Sequence, residues 1–252
     1  MSHNPERIPD FFSAISKSWL TLYKLWAKCH WVCVLSLAAL ICAQAPIALA
    51  TEANQLIDQS RSALVNIEAK KSLFFATSAN PNAQGTGFYI APNELLTAWH
   101  VVQGAKKVTI TNAMGQESAA EVVESWPDRD LALIRVDEPG SIHWLTLSDR
   151  EPVEGEAVIA MGYPFGFDLF SSRGIVSSKV ANPKGESIDL FATDAVVNPG
   201  MSGGPLIGSN GQVLGLLSRI YSSTGSFAGM TFAYPAMLIK ALTARSDQMR
   251  GN

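Results

Sequence analysis

Three short motifs carry the residue types that serine-based hydrolysis needs. A histidine ends the run TAWH at 97–100, an aspartate lies within DRDLALI at 128–134, and a serine lies within NPGMSGGP at 198–205. A serine hydroxyl is a poor nucleophile at neutral pH unless an imidazole removes its proton. The imidazole in turn needs a carboxylate that fixes its tautomer. The order His100, Asp130, Ser202 therefore predicts a catalytic triad.

The glycines beside the serine fit a second requirement, which is stabilisation of an acyl oxyanion. Gly200 permits the tight turn that aims two backbone N–H groups at one point. We expect these to be the amides of Gly200 and Ser202. The separations of 30 and 72 residues put His100 and Asp130 in one half of the protein and Ser202 in the other, so the catalytic cleft is expected between two barrels.

Other chemistries find less support in the sequence. His143 is the remaining histidine after residue 50, and it has no serine–glycine motif around it, so we interpret it as structural. With no HExxH spacing and no cysteine after residue 50, we expect no metal site and no cofactor. An esterase acting through the same serine is a further alternative, although no βα alternation surrounds the motif.

The positioning elements are predicted to be strands. From residue 60 onward, short apolar runs alternate with turn residues, which is typical of a sandwich or barrel and not of an alternating α/β sheet. Helical spacing occurs at 52–68 and at 235–246, where Pro235 suits a first helical turn. The polar stretch at 137–152 is the predicted link between the two halves.

The N-terminal segment has the three regions of a secretory signal peptide. Residues 31–50 carry no charge, follow Lys24 and Lys28, and end in an A-x-A pattern. The competing interpretation is an uncleaved membrane anchor, because 20 uncharged residues suffice to span a bilayer. The sequence thus predicts a signal peptide or anchor at 1–50 and an exported body at 51–252, with membrane association only if the segment is uncleaved.

The composition of residues 51–252 indicates which classes of partner and which covalent links to expect. Residues 51–252 hold 15 basic and 20 acidic side chains, a mildly acidic balance that gives no reason to expect nucleic acid as a partner. All three cysteines, Cys29, Cys33 and Cys42, precede residue 51, so the mature chain is expected to contain no disulfide.

Taken as a set, longer motifs resemble the HtrA/Deg group of trypsin-like serine proteases. They cover about residues 83–240 and read GTGFYIAPNELLTAWHVV, DRDLALIRV, AVIAMGYPFG, SRGIVSS, FATDAVVNPGMSGGPLI and GQVLGL. The resemblance implies an all-β fold, a trypsin-like double β-barrel with a C-terminal helix. We expect barrel one at about 60–140, barrel two at about 150–235 and the helix at 235–246.

The same resemblance implies roles and setting. His100 becomes the general base, Asp130 its orienting carboxylate and Ser202 the nucleophile, with the Gly200 and Ser202 amides as the oxyanion hole. It also implies a periplasmic or secreted enzyme that cleaves unfolded or misfolded polypeptides. HtrA proteases often form trimers, so the resemblance also implies a homo-oligomer.

Three features depart from that pattern. Met201 stands where HtrA proteases commonly have Asn and digestive proteases have Asp, which excludes a digestive-type zymogen switch and requires other contacts, or substrate, to order the oxyanion loop. Pro205 follows the SGG triplet, as in digestive trypsins. After residue 246 the sequence has no room for a peptide-binding PDZ module, so tethering of substrate by such a module is not expected.

The substrate pocket is predicted from the segment before Ser202 and the strand after it. None of its candidate residues is acidic, so we expect cleavage after small or medium aliphatic residues and not after Arg or Lys. The pocket candidates are Val196, Val197, Leu216, Leu217 and Ser218.

A second hypothesis for the protein is a binding or regulatory module with a resting oxyanion loop.

Overall fold

A computed structural model describes Trp26 and residues 53–71, 82–137, 143–181, 190–220 and 229–250. The chain separates into two compact units, residues 1–54 and 55–252. The predicted signal peptide or anchor and its three cysteines lie outside the described residues, apart from Trp26. Within those described ranges, no helix is both long enough and apolar enough to cross a bilayer.

The first elements correct one sequence prediction. Within the described residues, a helix, α1, covers 53–61 and strand β1 begins at Leu64, so the helix expected over 52–68 is wrong in its second half. From Val65 the side chains alternate between buried and more exposed positions, which is the period of a strand and not of a helix. The β-branched Val65 and Ile67 fall on its buried face and favour the strand.

Barrel one is a closed six-stranded antiparallel barrel with the strand order β1-β2-β3-β6-β5-β4. A single helical turn, α2 (Trp99–Val102), follows β3. Pairing of Ala98 with Leu131 sets the end of β3 against the start of β6, so the residues just beyond these two ends meet. The strands are β1 (Leu64–Lys71), β2 (Asn82–Ala91), β3 (Glu94–Ala98), β4 (Ala105–Asn112), β5 (Glu117–Trp126) and β6 (Leu131–Arg135).

Barrel two is also closed, with the order β10-β11-β12-β9-β8-β7. Closure leaves neither sheet with an open edge, which removes the unpaired backbone groups that edge strands expose. The last strand leads directly into helix α3 (Ala236–Arg250). The strands are β7 (Ala157–Gly162), β8 (Phe170–Ala181), β9 (Leu190–Thr193), β10 (Pro205–Gly208), β11 (Val213–Ile220) and β12 (Thr231–Pro235).

The two barrels and the terminal helix confirm the all-β, double-barrel fold. The helix extends to Arg250, beyond the expected end at 246. Pro235 closes β12 and does not open the helix, because its neighbour Ala236 is the first helical residue. Hydrogen bonds also connect the barrels: the amide of Thr86 in β2 donates to the carbonyl of Ser202 ahead of β10.

Candidate active site

The local backbone brings His100 and Asp130 together. Asp130 follows a 3-10 turn at Pro127–Arg129 and adopts the left-handed conformation, with φ of 51°, which Asp tolerates better than most residues. In that position its carbonyl oxygen accepts the amide of Trp99 at 3.0 Å, and its Oδ1 accepts the amide of His100 at 2.9 Å. Asp130 therefore satisfies the first amides of α2, a turn that has no side-chain cap of its own.

The two side chains form a close pair. Nδ1 of His100 lies 3.0 Å from Oδ1 and 2.9 Å from Oδ2 of Asp130. Ser218 in β11 donates from Oγ to the same Oδ2 at 2.6 Å. The imidazole is 47% exposed, whereas the carboxylate is 8% exposed. A neutral imidazole that donates from Nδ1 to this carboxylate keeps its Nε2 lone pair available on the exposed side.

Opposing effects act on the carboxyl group of Asp130. Burial alone would raise its pKa, because it disfavours the charged form. The hydrogen bond and the positive charge of His100, together with the Ser218 hydroxyl and the His100 amide, outweigh burial and hold the pKa of Asp130 below its usual value. The group is therefore an anion at neutral pH and can stabilise an imidazolium beside it.

The residues around Ser202 form a tight turn, which we call the serine loop and define as residues 198–204. Gly203 has φ of +86°, and a Cβ there would lie 2.6 Å from the amide nitrogen of Ala98. Only glycine permits this approach, and it brings the residue after Ser202 against the end of β3, two positions before His100. Within the described residues, no hydrogen bond joins the Ser202 hydroxyl to His100, a bond that is often long before substrate binds.

The peptide before Gly200 has a defined orientation. The amide of Phe165 donates to the carbonyl of Pro199 at 2.7 Å. In a trans peptide the C=O and N–H point in opposite directions, so the Gly200 N–H points away from Phe165. Among the described residues, neither this N–H nor that of Ser202 has an acceptor. The φ of +97° at Gly200 and its contact with the 163–165 backbone both require glycine.

Met201 shows what holds the serine loop in the absence of an Asn or Asp before Ser202. Its side chain is fully buried in the core of barrel two, in a cluster with Val197, Leu206 and Leu217. Its Sδ also lies 3.5 Å from the amide nitrogen of Asn198, within range for a weak hydrogen bond. An apolar side chain, in place of Asn or Asp, therefore attaches the serine loop to the barrel.

The predicted pocket residues occupy different surroundings. Val196 is 41% exposed, whereas Leu216 is fully buried. Val197 and Leu217 belong to the core around Met201 and have almost no exposed surface, so their contact with substrate stays a prediction. Ser218 is buried, and its hydroxyl is engaged by Asp130, a partnership that the sequence reasoning missed. An isolated Ser in an apolar strand, LGLLSRI, was the available signal for a buried polar contact.

Two closed barrels, with a His–Asp pair at the end of one and a serine in a glycine turn at the start of a strand of the other, define the class of two-barrel serine peptidases. Residues 85–216 match the trypsin-like peptidase domain family, and this match covers just over half of the chain. The chain belongs to the trypsin-like peptidase family.

Individual relatives show which members of that family this chain is similar to. The chain is 39% identical over 154 residues to a probable periplasmic serine endoprotease DegP-like of Pseudomonas putida strain W619, covering 60% of this chain and 32% of the relative. A second protein of that name, from Pseudomonas putida strain GB-1, is 32% identical over 257 residues, covering 87% of this chain and 52% of the relative. The chain thus spans about a third to a half of the length of these relatives.

Solved structures agree with the sequence matches. The HtrA-type protease AlgW with tripeptide has a TM-score of 0.65 and 29% identity, covering 74% of this chain and 60% of that one. A point variant of the same protease, also with tripeptide, has a TM-score of 0.67 and 28% identity, covering 77% and 62% of the two chains. The similarity to the HtrA/Deg group is therefore confirmed in both sequence and fold.

Proposed function

We propose that this protein is an exported serine endopeptidase in which His100, Asp130 and Ser202 form the catalytic triad. The observation that carries the proposal is the His100–Asp130 pair, which leaves Nε2 available at the end of β3, where the backbone around Ser202 packs. The sequence order of the three residues and the family to which the chain belongs support the same assignment.

In the first half of the proposed reaction, the Ser202 hydroxyl oxygen attacks the carbonyl carbon of the peptide bond while His100 Nε2 takes the hydroxyl proton. The resulting oxyanion accepts hydrogen bonds from the amides of Gly200 and Ser202, which have no acceptor within the described residues. Asp130 remains an anion and stabilises the imidazolium.

The second half releases both products. The C–N bond breaks as His100 returns its proton to the leaving amine, and Ser202 is left as an acyl ester. Water then gives a proton to His100 and its oxygen to the acyl carbon, after which the ester bond breaks and the Ser202 hydroxyl is restored. The products are a new amine and a new carboxylate.

The proposed location follows from the names of the relatives, and the proposed substrates follow from the resemblance to the HtrA/Deg group. Proteins similar to this chain are named periplasmic serine endoproteases, so we propose the periplasm or an equivalent exported space as its location. Unfolded or misfolded polypeptides are the proposed substrates. A homo-oligomer is part of the same proposal. The residue before the cut is expected to be small or medium and aliphatic, because none of the five candidate pocket residues is acidic.

Labelling of the full-length protein with a fluorophosphonate, followed by intact-mass analysis, tests the triad. We expect one adduct on the wild type and none on Ser202→Ala or His100→Ala, with all three proteins equally folded by circular dichroism. No adduct on folded wild type, in the presence or absence of added unfolded protein, would instead favour a binding or regulatory module on the protease fold.

A further inference from the structure

We propose that Thr86 is a positioning residue whose hydroxyl, contributed by barrel one, holds the serine loop of barrel two in its reactive orientation. The inference rests on the function proposed above and extends it by naming the group that orders the loop. Thr86 lies in β2 and is fully buried.

The side chain of Thr86 bridges two segments of barrel two. Its Oγ1 donates to the carbonyl oxygen of Gly200 at 2.8 Å and accepts the amide of Tyr163 at 3.0 Å. The Thr86 amide also donates to the carbonyl oxygen of Ser202 at 2.9 Å. One residue of barrel one thus binds the serine loop at two carbonyls and the neighbouring segment at one amide.

These bonds hold the two peptide planes on either side of the peptide that carries the Ser202 N–H, which is one of the two proposed oxyanion donors. The Gly200 carbonyl belongs to the peptide before Met201, and the Ser202 carbonyl belongs to the peptide after Ser202. Between these two planes lies the Met201–Ser202 peptide, whose N–H is the Ser202 amide. With the planes on both sides held by Thr86, the direction of the Ser202 N–H is held as well.

The second donor depends on the same hydroxyl through Tyr163. The Gly200 N–H is oriented because Phe165 donates to the carbonyl of Pro199. Phe165 lies two residues after Tyr163, whose amide is bound to Thr86. The hydroxyl therefore ties together the serine loop and the segment that orients its first peptide.

Thr86 is itself held by the strand that leads to the histidine. Thr97, near the end of β3, donates from Oγ1 to the carbonyl oxygen of Thr86 at 2.8 Å. His100 follows three residues later. The chain of hydrogen bonds thus connects the β3 end that carries the base with the loop that carries the nucleophile, across the junction of the two barrels.

The chain offers a matched control for removal of this hydroxyl. Thr193 in β9 is equally buried, and its Oγ1 also donates to one carbonyl, that of Ile175, and accepts one amide, that of Ala195. These bonds do not reach the serine loop or Tyr163. Thr86→Val and Thr193→Val therefore remove the same chemistry from two places, one of which is the proposed site.

Steady-state kinetics on a peptide substrate, with full-length protein, give the decisive comparison. We expect Thr86→Val to lower kcat about 10- to 100-fold with KM changed less than about threefold, since an oxyanion donor acts mainly in the transition state. Thr86→Ser, which keeps the hydroxyl, should stay within about threefold of wild-type kcat, and Thr193→Val should keep kcat. Thr86→Ala replaces the valine variant if that protein does not fold.

Two results would overturn the proposal: a folded Thr86→Val enzyme with kcat within about twofold of wild type, or an equal loss in Thr193→Val. If the wild type itself neither cleaves nor labels, the triad assignment fails and hydrogen exchange decides the role of Thr86. Three amides of the serine loop are hydrogen-bonded: those of Met201 and Gly204 donate to carbonyls within the loop, and that of Gly203 donates to the carbonyl of Leu217. They should exchange about tenfold faster in Thr86→Val than in wild type and Thr193→Val, and equal exchange would refute the role.

Discussion

The thioether of Met201 lies 3.5 Å from the amide nitrogen of Asn198, while the rest of the Met201 side chain is buried in the core of barrel two. A single side chain thus does two things for the serine loop: it accepts an amide inside the turn, and it anchors the turn by apolar packing. Because a flexible side chain that fills an irregular space contributes mainly through packing, we expect its volume to matter more than its sulfur.

Replacement of Met201 should separate these two contributions. Met201→Ala leaves a cavity in the core and should lower the free energy of unfolding by about 2–5 kcal/mol. Met201→Leu keeps the apolar volume and loses only the weak acceptor, so it should cost less than about 1.5 kcal/mol. Urea denaturation measures both values, and an equal loss in the two variants would show that the sulfur contact, and not packing, anchors the loop.

Some features of the site could be predicted from local sequence, whereas the conformation of the serine loop could not. Strand periodicity and turn residues were sufficient to predict a sandwich or barrel, because they are local patterns. The order of the three motifs predicted the His100–Asp130 pair, whereas the double barrel was implied by the resemblance to the HtrA/Deg group. The sequence indicated that Met201 departs from the expected polar residue, yet it did not indicate that the side chain turns into the core. That orientation depends on contacts with residues such as Leu206 and Leu217, whose positions are set by the closure of barrel two.

Contacts across the barrel junction could not be predicted from the sequence for a related reason. Ser218 meets Asp130 from 88 positions away along the chain, and Thr86 meets Gly200 from 114 positions away. Thr86 lies in the motif GTGFYI and Ser218 lies in the apolar strand LGLLSRI, but neither pattern identifies the partner, because each contact depends on how the two barrels pack against each other. The helix expected over 52–68 failed differently: its apolar residues fit both periods, and barrel closure selected the strand from Leu64.

Removal of the Ser218 hydroxyl should weaken the site through Asp130. In Ser218→Ala the carboxylate loses one charge-assisted hydrogen bond, so the pKa of Asp130 should rise and stability should fall by about 1.5–3 kcal/mol. We expect kcat to fall about tenfold, because the imidazolium is then less well stabilised. Ser148→Ala is the control: Ser148 is also buried, but its Oγ accepts the amide of Arg150, away from the triad. An unchanged kcat in Ser218→Ala would contradict this role.

The acid stability of the protein should depend on Asp130. Its pKa is lowered in the folded state, so below the ordinary aspartate value of about 3.9 the unfolded chain binds more protons than the folded one. Its contribution to stability is therefore complete above that value and is lost as the pH falls through the folded pKa. The difference in unfolding free energy between wild type and Asp130→Asn should shrink as the pH is lowered from about 5 toward about 2.5.

The same variant should be nearly inactive at neutral pH. An amide at this position favours the wrong tautomer of His100, which typically costs about 10⁴-fold in kcat. Urea denaturation at several pH values and one kinetic measurement at about pH 7 test both statements. A stability difference that does not vary with pH would show that Asp130 keeps its ordinary pKa in the folded protein.

Gly200 provides a test of the oxyanion arrangement. A Cβ at this position would lie 2.5 Å from the carbonyl oxygen of Tyr163 and 2.7 Å from the amide nitrogen of Phe165, and φ is +97°. Gly200→Ala must therefore displace the peptide that carries one donor, and fluorophosphonate labelling should slow by at least about 100-fold. Gly155→Ala imposes similar strain, with φ of +82° and nothing within 4 Å, and should label normally. Equal labelling of both variants would contradict a role for Gly200.

Substrate preference should respond to charge at Val196. This residue precedes the serine loop, and its side chain is exposed enough to accept a carboxylate without core disruption. We expect the wild type to cut a peptide library after small or medium aliphatic residues, and Val196→Asp to shift cleavage toward Arg and Lys by charge complementarity. Val196→Thr, which changes the shape little, should retain the wild-type preference. Cleavage after Arg or Lys by the wild type would refute the aliphatic pocket, and an unaltered preference in Val196→Asp would show that Val196 does not line it.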